Sequence, residues 1–185
     1  MSLRLFIALL LALLASGCDR QKPAEPQGDA PASASLPDKG KLDRSNAGKS
    51  APDTAFLDPD GEQVSLADFR GKPLLLNLWA TWCAPCVAEM PTLDALAGKG
   101  GNLQVLAVSE DIEGQEQKVA TFFEERKLAN LEAFRDPELG LMTGLNASVL
   151  PTTILYDSQG KEVWRMVGAA DWTGAETAKL LAEAR

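Results

Sequence analysis

The sequence predicts an α/β protein whose central mixed β-sheet carries helices on both faces. Three observations lead there. Two near-continuous apolar runs, residues 74–80 and 103–108, read as strands buried on both sheet faces, and each precedes a stretch with helical spacing. Two later runs, 152–156 and 162–167, flank Asp157-Ser158-Gln159-Gly160, a turn sequence that joins them as an antiparallel hairpin. The resulting order of strand, helix, strand, helix, hairpin, helix requires both parallel and antiparallel pairing. A chain of 185 residues, 45% hydrophobic, has material for one core of this kind.

The chain begins with Met1-Ser2-Leu3-Arg4, an apolar run over residues 5–14 too short to span a bilayer comfortably, and the small residues Ala15-Ser16-Gly17 before Cys18. This is the layout of a secretory signal peptide over residues 1–17. Leu14-Ala15-Ser16-Gly17-Cys18 resembles the bacterial lipobox, with Ala15 where Leu is more usual, and the resemblance implies cleavage that leaves Cys18 lipid-modified. Each buried methylene contributes ~0.8 kcal/mol, so a multiply acylated Cys18 would hold the protein on a membrane. Asp19 follows directly; in enterobacteria an Asp there tends to retain lipoproteins in the inner membrane, which sets the expected address. Residues 19–50 are mostly Pro, Ala, Ser, Gly, Lys and Asp, too poor in large apolar side chains to offset their ordering entropy, and are expected to form a flexible tether. The folded domain is expected over residues 51–185.

Within it, residues 55–57 and 63–64 flank Asp58-Pro59-Asp60-Gly61, which predicts an N-terminal β-hairpin, and residues 65–69 read as one capped helical turn. A helix is expected from about Ala84 to Ala97, kinked at Pro91, which cannot bond to the carbonyl of Val87. Val119, Phe122, Phe123 and Leu128 mark an amphipathic helix over about 115–127. Ala133-Phe134 suggests a short strand, residues 138–143 a helical turn ending near Gly144, and residues 172–184 a closing helix.

Composition removes several function classes. Asp plus Glu number 26 against 18 Lys plus Arg, with no basic stripe, so phosphate-backbone binding lacks its driving force and nucleic acid is not an expected partner. No histidine is present, which excludes imidazole acid–base catalysis, Cys/His and Ser/His nucleophile pairs, and His-containing metal sites. The three cysteines are Cys18, Cys83 and Cys86, and lipidation of Cys18 accounts for the odd one.

Cys83 and Cys86, at i and i+3 where a helix opens, are within disulfide reach, and the helix N-terminus stabilises a thiolate on the first. Cys83 is therefore the candidate nucleophile, and Cys86, one turn further in, the resolving thiol. Pro85 is tolerated in the first helical turn, and Trp79 and Trp82 are expected to pack around the site and shield it. The pair needs no cofactor beyond its own redox-active disulfide.

Trp82-Cys83-Ala84-Pro85-Cys86, after an apolar strand and before a helix, is similar to the thioredoxin active site, and Val149-Leu150-Pro151-Thr152-Thr153 resembles the cis-proline loop of that superfamily. Asn77-Leu78-Trp79, the run Cys86 to Pro91, and the long segment 110–146 between central elements resemble the TlpA/ResA branch of anchored, extracytoplasmic thiol reductases. The resemblance implies a thioredoxin-like fold with a central insertion over residues 54–184, a cis-proline at Pro151 facing the dithiol, and a client strand pairing with that loop. Trp82, Leu150 and Pro151 are thus the expected client contacts. Asn77 departs from cytosolic thioredoxins, which carry a buried Asp there for proton transfer. Glu89, three residues after Cys86 and on the same helical face, is the candidate replacement, matching a Glu that lines a cavity in ResA-like proteins.

These features lead to a thiol:disulfide oxidoreductase that reduces envelope disulfides. By resemblance its clients are apocytochrome c cysteine pairs or copper-site assembly proteins, and a thiol-reducing membrane donor regenerates it. A disulfide oxidant or isomerase would run the same exchange from the disulfide form. A copper(I) metallochaperone is the alternative of another class, since two thiolates, with Met90, suit that ion; no Met-rich cluster adjoins the dithiol, and Pro85 and Trp82 read as redox-site features. A peroxiredoxin would need a Thr three residues before the nucleophile, where Ala80 stands.

Overall fold

The computed structural model describes residues 40–184. The expected signal peptide, Cys18 and the tether up to residue 39 lie outside them. One eight-stranded mixed sheet spans the fold, in the order β1-β8-β7-β4-β5-β6-β2-β3. Its centre is β4 (Leu74–Trp79), every residue of which is buried, as its unbroken apolar run requires. β4 runs parallel to β5 (Gln104–Ser109) and antiparallel to β7 (Thr152–Tyr156), which forms the expected hairpin with β8 (Glu162–Val167).

The segment between β5 and β7 supplies α2 (Glu116–Arg126), β6 (Phe134–Arg135) and α3 (Gly140–Gly144). β6 extends the sheet parallel to β5, and the N-terminal hairpin β2 (Ala55–Leu57) and β3 (Gln63–Ser65) joins it through an antiparallel bond to β2. A 3₁₀ turn at Leu66–Phe69 follows, closed by a reciprocal capping box between Ser65 and Asp68.

Alternate side chains of β4 feed two cores. Leu75 and Trp79 join Cys86, Met90 and Leu93 of α1 (Ala84–Ala97), Val119 of α2 and Leu180 near the end of α4 (Ala175–Leu181). Leu74, Leu76 and Leu78 face the other way, against Leu66, Phe69 and, from α3, Leu141. The thioredoxin-like fold expected from the sequence is the one present.

Three expectations need correction. Part of the expected tether is ordered: β1 (Lys41–Asp43) pairs antiparallel with β8, and Ser50 bridges to Lys161. Ordered structure is therefore already present at β1, ahead of the expected domain start at residue 51. A three-residue edge strand owes its order to the ladder it joins and to Leu42 packing on the core, neither of which composition registers. The closing helix is also shorter than expected, because Asp171 accepts hydrogen bonds from the backbone and hydroxyl of Thr173 and turns the chain before the helix begins. Trp82, finally, does not shield the dithiol; it is 68% exposed, while Trp79 is fully buried. Helix α1 itself runs unbroken through Pro91.

Candidate active site

β4 ends at Trp79, and four residues later the chain enters α1 with Cys83 as its N-cap residue, in extended geometry. Pro85 sits in the first turn, where its missing N–H removes no helical bond. Cys83 and Cys86 form a disulfide with their Cα atoms 5.2 Å apart. The backbone N–H of Cys86 donates to Cys83 Sγ at 3.3 Å, the contact that stabilises a thiolate on Cys83 once the disulfide is reduced. Cys86 is fully buried and Cys83 retains 6% exposure, so any incoming sulfur meets Cys83 first.

The loop before Cys83 is held by a residue the sequence reading did not single out. Asp111, just past β5, accepts from the backbone N–H of Thr81 at 2.8 Å and from its hydroxyl at 2.7 Å, while Ser109 donates to the same carboxylate. With Thr81 pinned, Trp82 projects outward over a groove of about 430 Å³ that Ile112, Leu139 and Met142 also line. The loop before β7, whose Leu150 packs against the core cluster that holds Cys83 and Cys86, contains a cis Leu150–Pro151 bond, as the resemblance implied. Trp82, Ile112 and Val149 are the large hydrophobic side chains left exposed among the described residues, and they lie on three loops, between β4 and α1, between β5 and α2, and before β7.

Glu89 is completely buried. Its Oε1 accepts from Asn77 Nδ2 at 2.8 Å, and its Oε2 from the Ala170 N–H at 2.8 Å and from Trp172 Nε1 at 3.2 Å. Asn77 also donates to the Thr153 hydroxyl at 2.9 Å, so its amide ties the Glu89 carboxyl to β7. Burial pushes the Glu89 carboxyl up to about 7, against the lowering effect of the bonds from Ala170, Asn77 and Trp172. A group poised there exchanges protons readily at neutral pH. Helical spacing pointed to Glu89; no local signal pointed to Thr153, Ala170 or Trp172.

A second buried carboxyl lies beyond Trp82. Glu110 is 2% exposed, and among the described residues neither of its oxygens meets a hydrogen-bond donor. Burial, reinforced by the neighbouring Asp136 carboxylate, pushes Glu110 up to about 9. The Asp136 carboxylate itself accepts from the N–H groups of Gly140 and Leu141. No group of three or more His, Cys, Asp or Glu side chains suited to a metal ion occurs among the described residues.

The Redoxin family model matches residues 46–182, most of the described residues. The chain belongs to the Redoxin family. Among curated relatives of this Redoxin-family chain, the thiol-disulfide oxidoreductase ResA of Bacillus cereus is 33% identical over 121 residues, spanning 65% of this chain and 69% of the relative. The protein of the same name from Bacillus thuringiensis is 31% identical over 128 residues, or 69% of this chain and 73% of that one. Among solved structures, the pneumococcal exposed lipoprotein thioredoxin of Streptococcus pneumoniae superposes with a TM-score of 0.61 at 26% identity, covering 71% of this chain and 99% of that one. The thioredoxin domain of a thiol-disulfide oxidoreductase from Bacteroides vulgatus does so with 0.60 at 26%, covering 73% and 97%. This Redoxin-family protein is a thiol:disulfide oxidoreductase of the ResA type, and its Cys83–Cys86 disulfide is the pair such exchange requires.

Proposed function

We propose that the protein is a lipid-anchored, extracytoplasmic reductase of protein disulfides, with Cys83 as nucleophile, Cys86 as resolving thiol and Glu89 as the proton-exchanging group. The observation that carries this reading is the burial of the Glu89 carboxyl, one helical turn after Cys86, with a pKa of about 7. In the reduced protein the Cys83 thiolate attacks one sulfur of a client disulfide, forming a mixed disulfide and expelling the other client sulfur as a thiolate, which takes a proton from solvent. Cys86 then passes its proton to ionised Glu89, and its thiolate attacks Cys83 Sγ, releasing the second client thiolate. Two electrons have moved from the dithiol to the client, and the Cys83–Cys86 disulfide remains. A dithiol donor in the membrane returns the two electrons.

The client is seated between the exposed Trp82 and Ile112 on one side and Val149, Leu150 and Pro151 on the other, its backbone pairing with the proline loop as an added strand. Its class is an envelope protein with a cysteine pair that must stay reduced to be filled, such as an apocytochrome c or a copper-site assembly protein. The extracytoplasmic address rests on the signal-like N-terminus ending at Cys18 and on the likeness to an exposed lipoprotein. Among the described residues no helix is long and apolar enough to cross a membrane.

A Cys86→Ser protein, which arrests exchange at the mixed disulfide on Cys83, is the test. Capture of envelope proteins bearing cysteine pairs supports the reading; absence of any adduct that a Cys83→Ser control also lacks refutes it. The potential of the pair sets the direction: about −300 mV fits a reductase and about −120 mV an oxidant.

A further inference from the structure

The loop between β8 and Trp172 touches three things at once. The Gly168 N–H donates to the Pro151 carbonyl at 2.9 Å. Two residues on, the Ala170 N–H donates to Glu89 at 2.8 Å. Between them the Ala169 carbonyl accepts from the N–H of Gly40 at 2.9 Å, immediately before β1. β1 then continues along β8 with Lys41 opposite Val167, Leu42 opposite Met166 and Asp43 opposite Arg165.

The approach of the two backbones admits only glycine. A Cβ on Gly40 would lie 2.6 Å from the Gly168 carbonyl oxygen and 2.7 Å from Met166 Cγ. Gly168 has φ +101, and a Cβ there would stand 3.2 Å from Gly40 Cα. An edge strand that served only to extend the sheet would need neither glycine. The chain thus joins the fold at a point braced directly against the loop that contacts both the proline and the buried carboxyl.

We propose that Gly40 and β1 are positioning elements of the active site: by pinning residues 168–170 from the edge of the sheet, they hold the Ala170 N–H on Glu89 and the Gly168 N–H on Pro151. The proposal rests on the reading of Glu89 as the proton-exchanging group for its functional meaning, but its structural content is measurable without catalysis. The groups that meet Glu89 are Asn77 from β4 and the Ala170 N–H and Trp172 indole from the loop, with Cys86 one turn earlier on its own helix; no ionised neighbour among the described residues contributes to its balance. Of its three donors, Ala170 lowers its pKa most, so loosening the clamp raises it.

The experiment is a titration of the Glu89 carboxyl by ¹³C NMR in the oxidised full-length protein, together with the exchange protection of the Ala170 amide, in wild type and Gly40→Ala. Gly40→Ala is expected to raise the Glu89 midpoint by at least about half a pH unit and to lower Ala170 protection about tenfold relative to core amides. Leu42→Ala, which weakens the docking of β1 and leaves the Gly40 contact sterically intact, should shift both in the same direction by less, and it serves alone where Gly40→Ala does not fold. A loss of global stability with unchanged Glu89 midpoint and Ala170 protection overturns the proposal. A shifted midpoint combined with exchange rates indifferent to Glu89→Gln keeps the clamp and removes Glu89 from the mechanism, so the two readings fail separately.

Discussion

Glu89 and Glu110 are the same residue type at nearly the same burial, 0% and 2% exposed, yet their surroundings are opposite. Three donors converge on Glu89, one from β4 and two from the loop after β8, whereas Glu110 meets no donor among the described residues and faces Asp136. Burial raises both, and the donors decide where each stops: about 7 for Glu89 and about 9 for Glu110. The first can change charge within a catalytic cycle at neutral pH; the second stays a neutral acid. A buried carboxyl is thus a proton-exchanging group only where its ionised form has been given hydrogen bonds.

The largest effect that sharpens this contrast is on stability. Glu110 keeps, when folded, a proton that the unfolded chain releases near its ordinary value of 4.5. The stability it contributes is complete below that value and is lost as pH rises toward about 9. Glu110→Gln does not titrate, so denaturant unfolding should show it gaining on wild type from pH 5 to pH 8, by at most about 1.4 kcal/mol per pH unit. A constant difference across that range would break the assignment. Its exchange activity should stay near wild type.

Glu89→Gln should act chiefly on activity. Rates of disulfide exchange should fall about 100-fold, the lower end of general acid–base contributions, and the inflection near pH 7 in their pH profile should vanish. Persistence of that inflection would assign it to another group.

A smaller effect is expected of Asp136→Asn. Loss of the carboxylate that receives the Gly140 and Leu141 N–H groups should cost about 1–2 kcal/mol in urea unfolding. It should also lower the Glu110 midpoint and leave that of Glu89 where it is; movement of both would show that the two regions are coupled. Smallest of all, Trp172→Phe removes a 3.2 Å donor from Glu89 and should raise its midpoint by a few tenths of a pH unit in a carboxyl titration.

Much of the fold was legible because its signals are local. The buried run of β4, the turn at Asp157–Gly160 and the start of α1 at Cys83 each depend on neighbours in sequence. What was missed involves distant partners. Ala170 and Trp172 reach Glu89 from 81 and 83 residues away, and the ordering of Lys41–Asp43 depends on β8 at the far end of the chain. Trp82 was misjudged for the same reason: its exposure follows from Asp111 holding Thr81, a contact across 30 residues.

By itself the sequence determined the kind of chemistry. Two cysteines three apart at a helix start, with no histidine anywhere, leave dithiol exchange as the leading reaction, and helical periodicity alone puts Glu89 on the face of Cys86. Only the tertiary structure decided which carboxyl can move a proton. That choice depends on desolvation and on donors brought from separate strands and loops, and the same glutamate in two environments is two different acids.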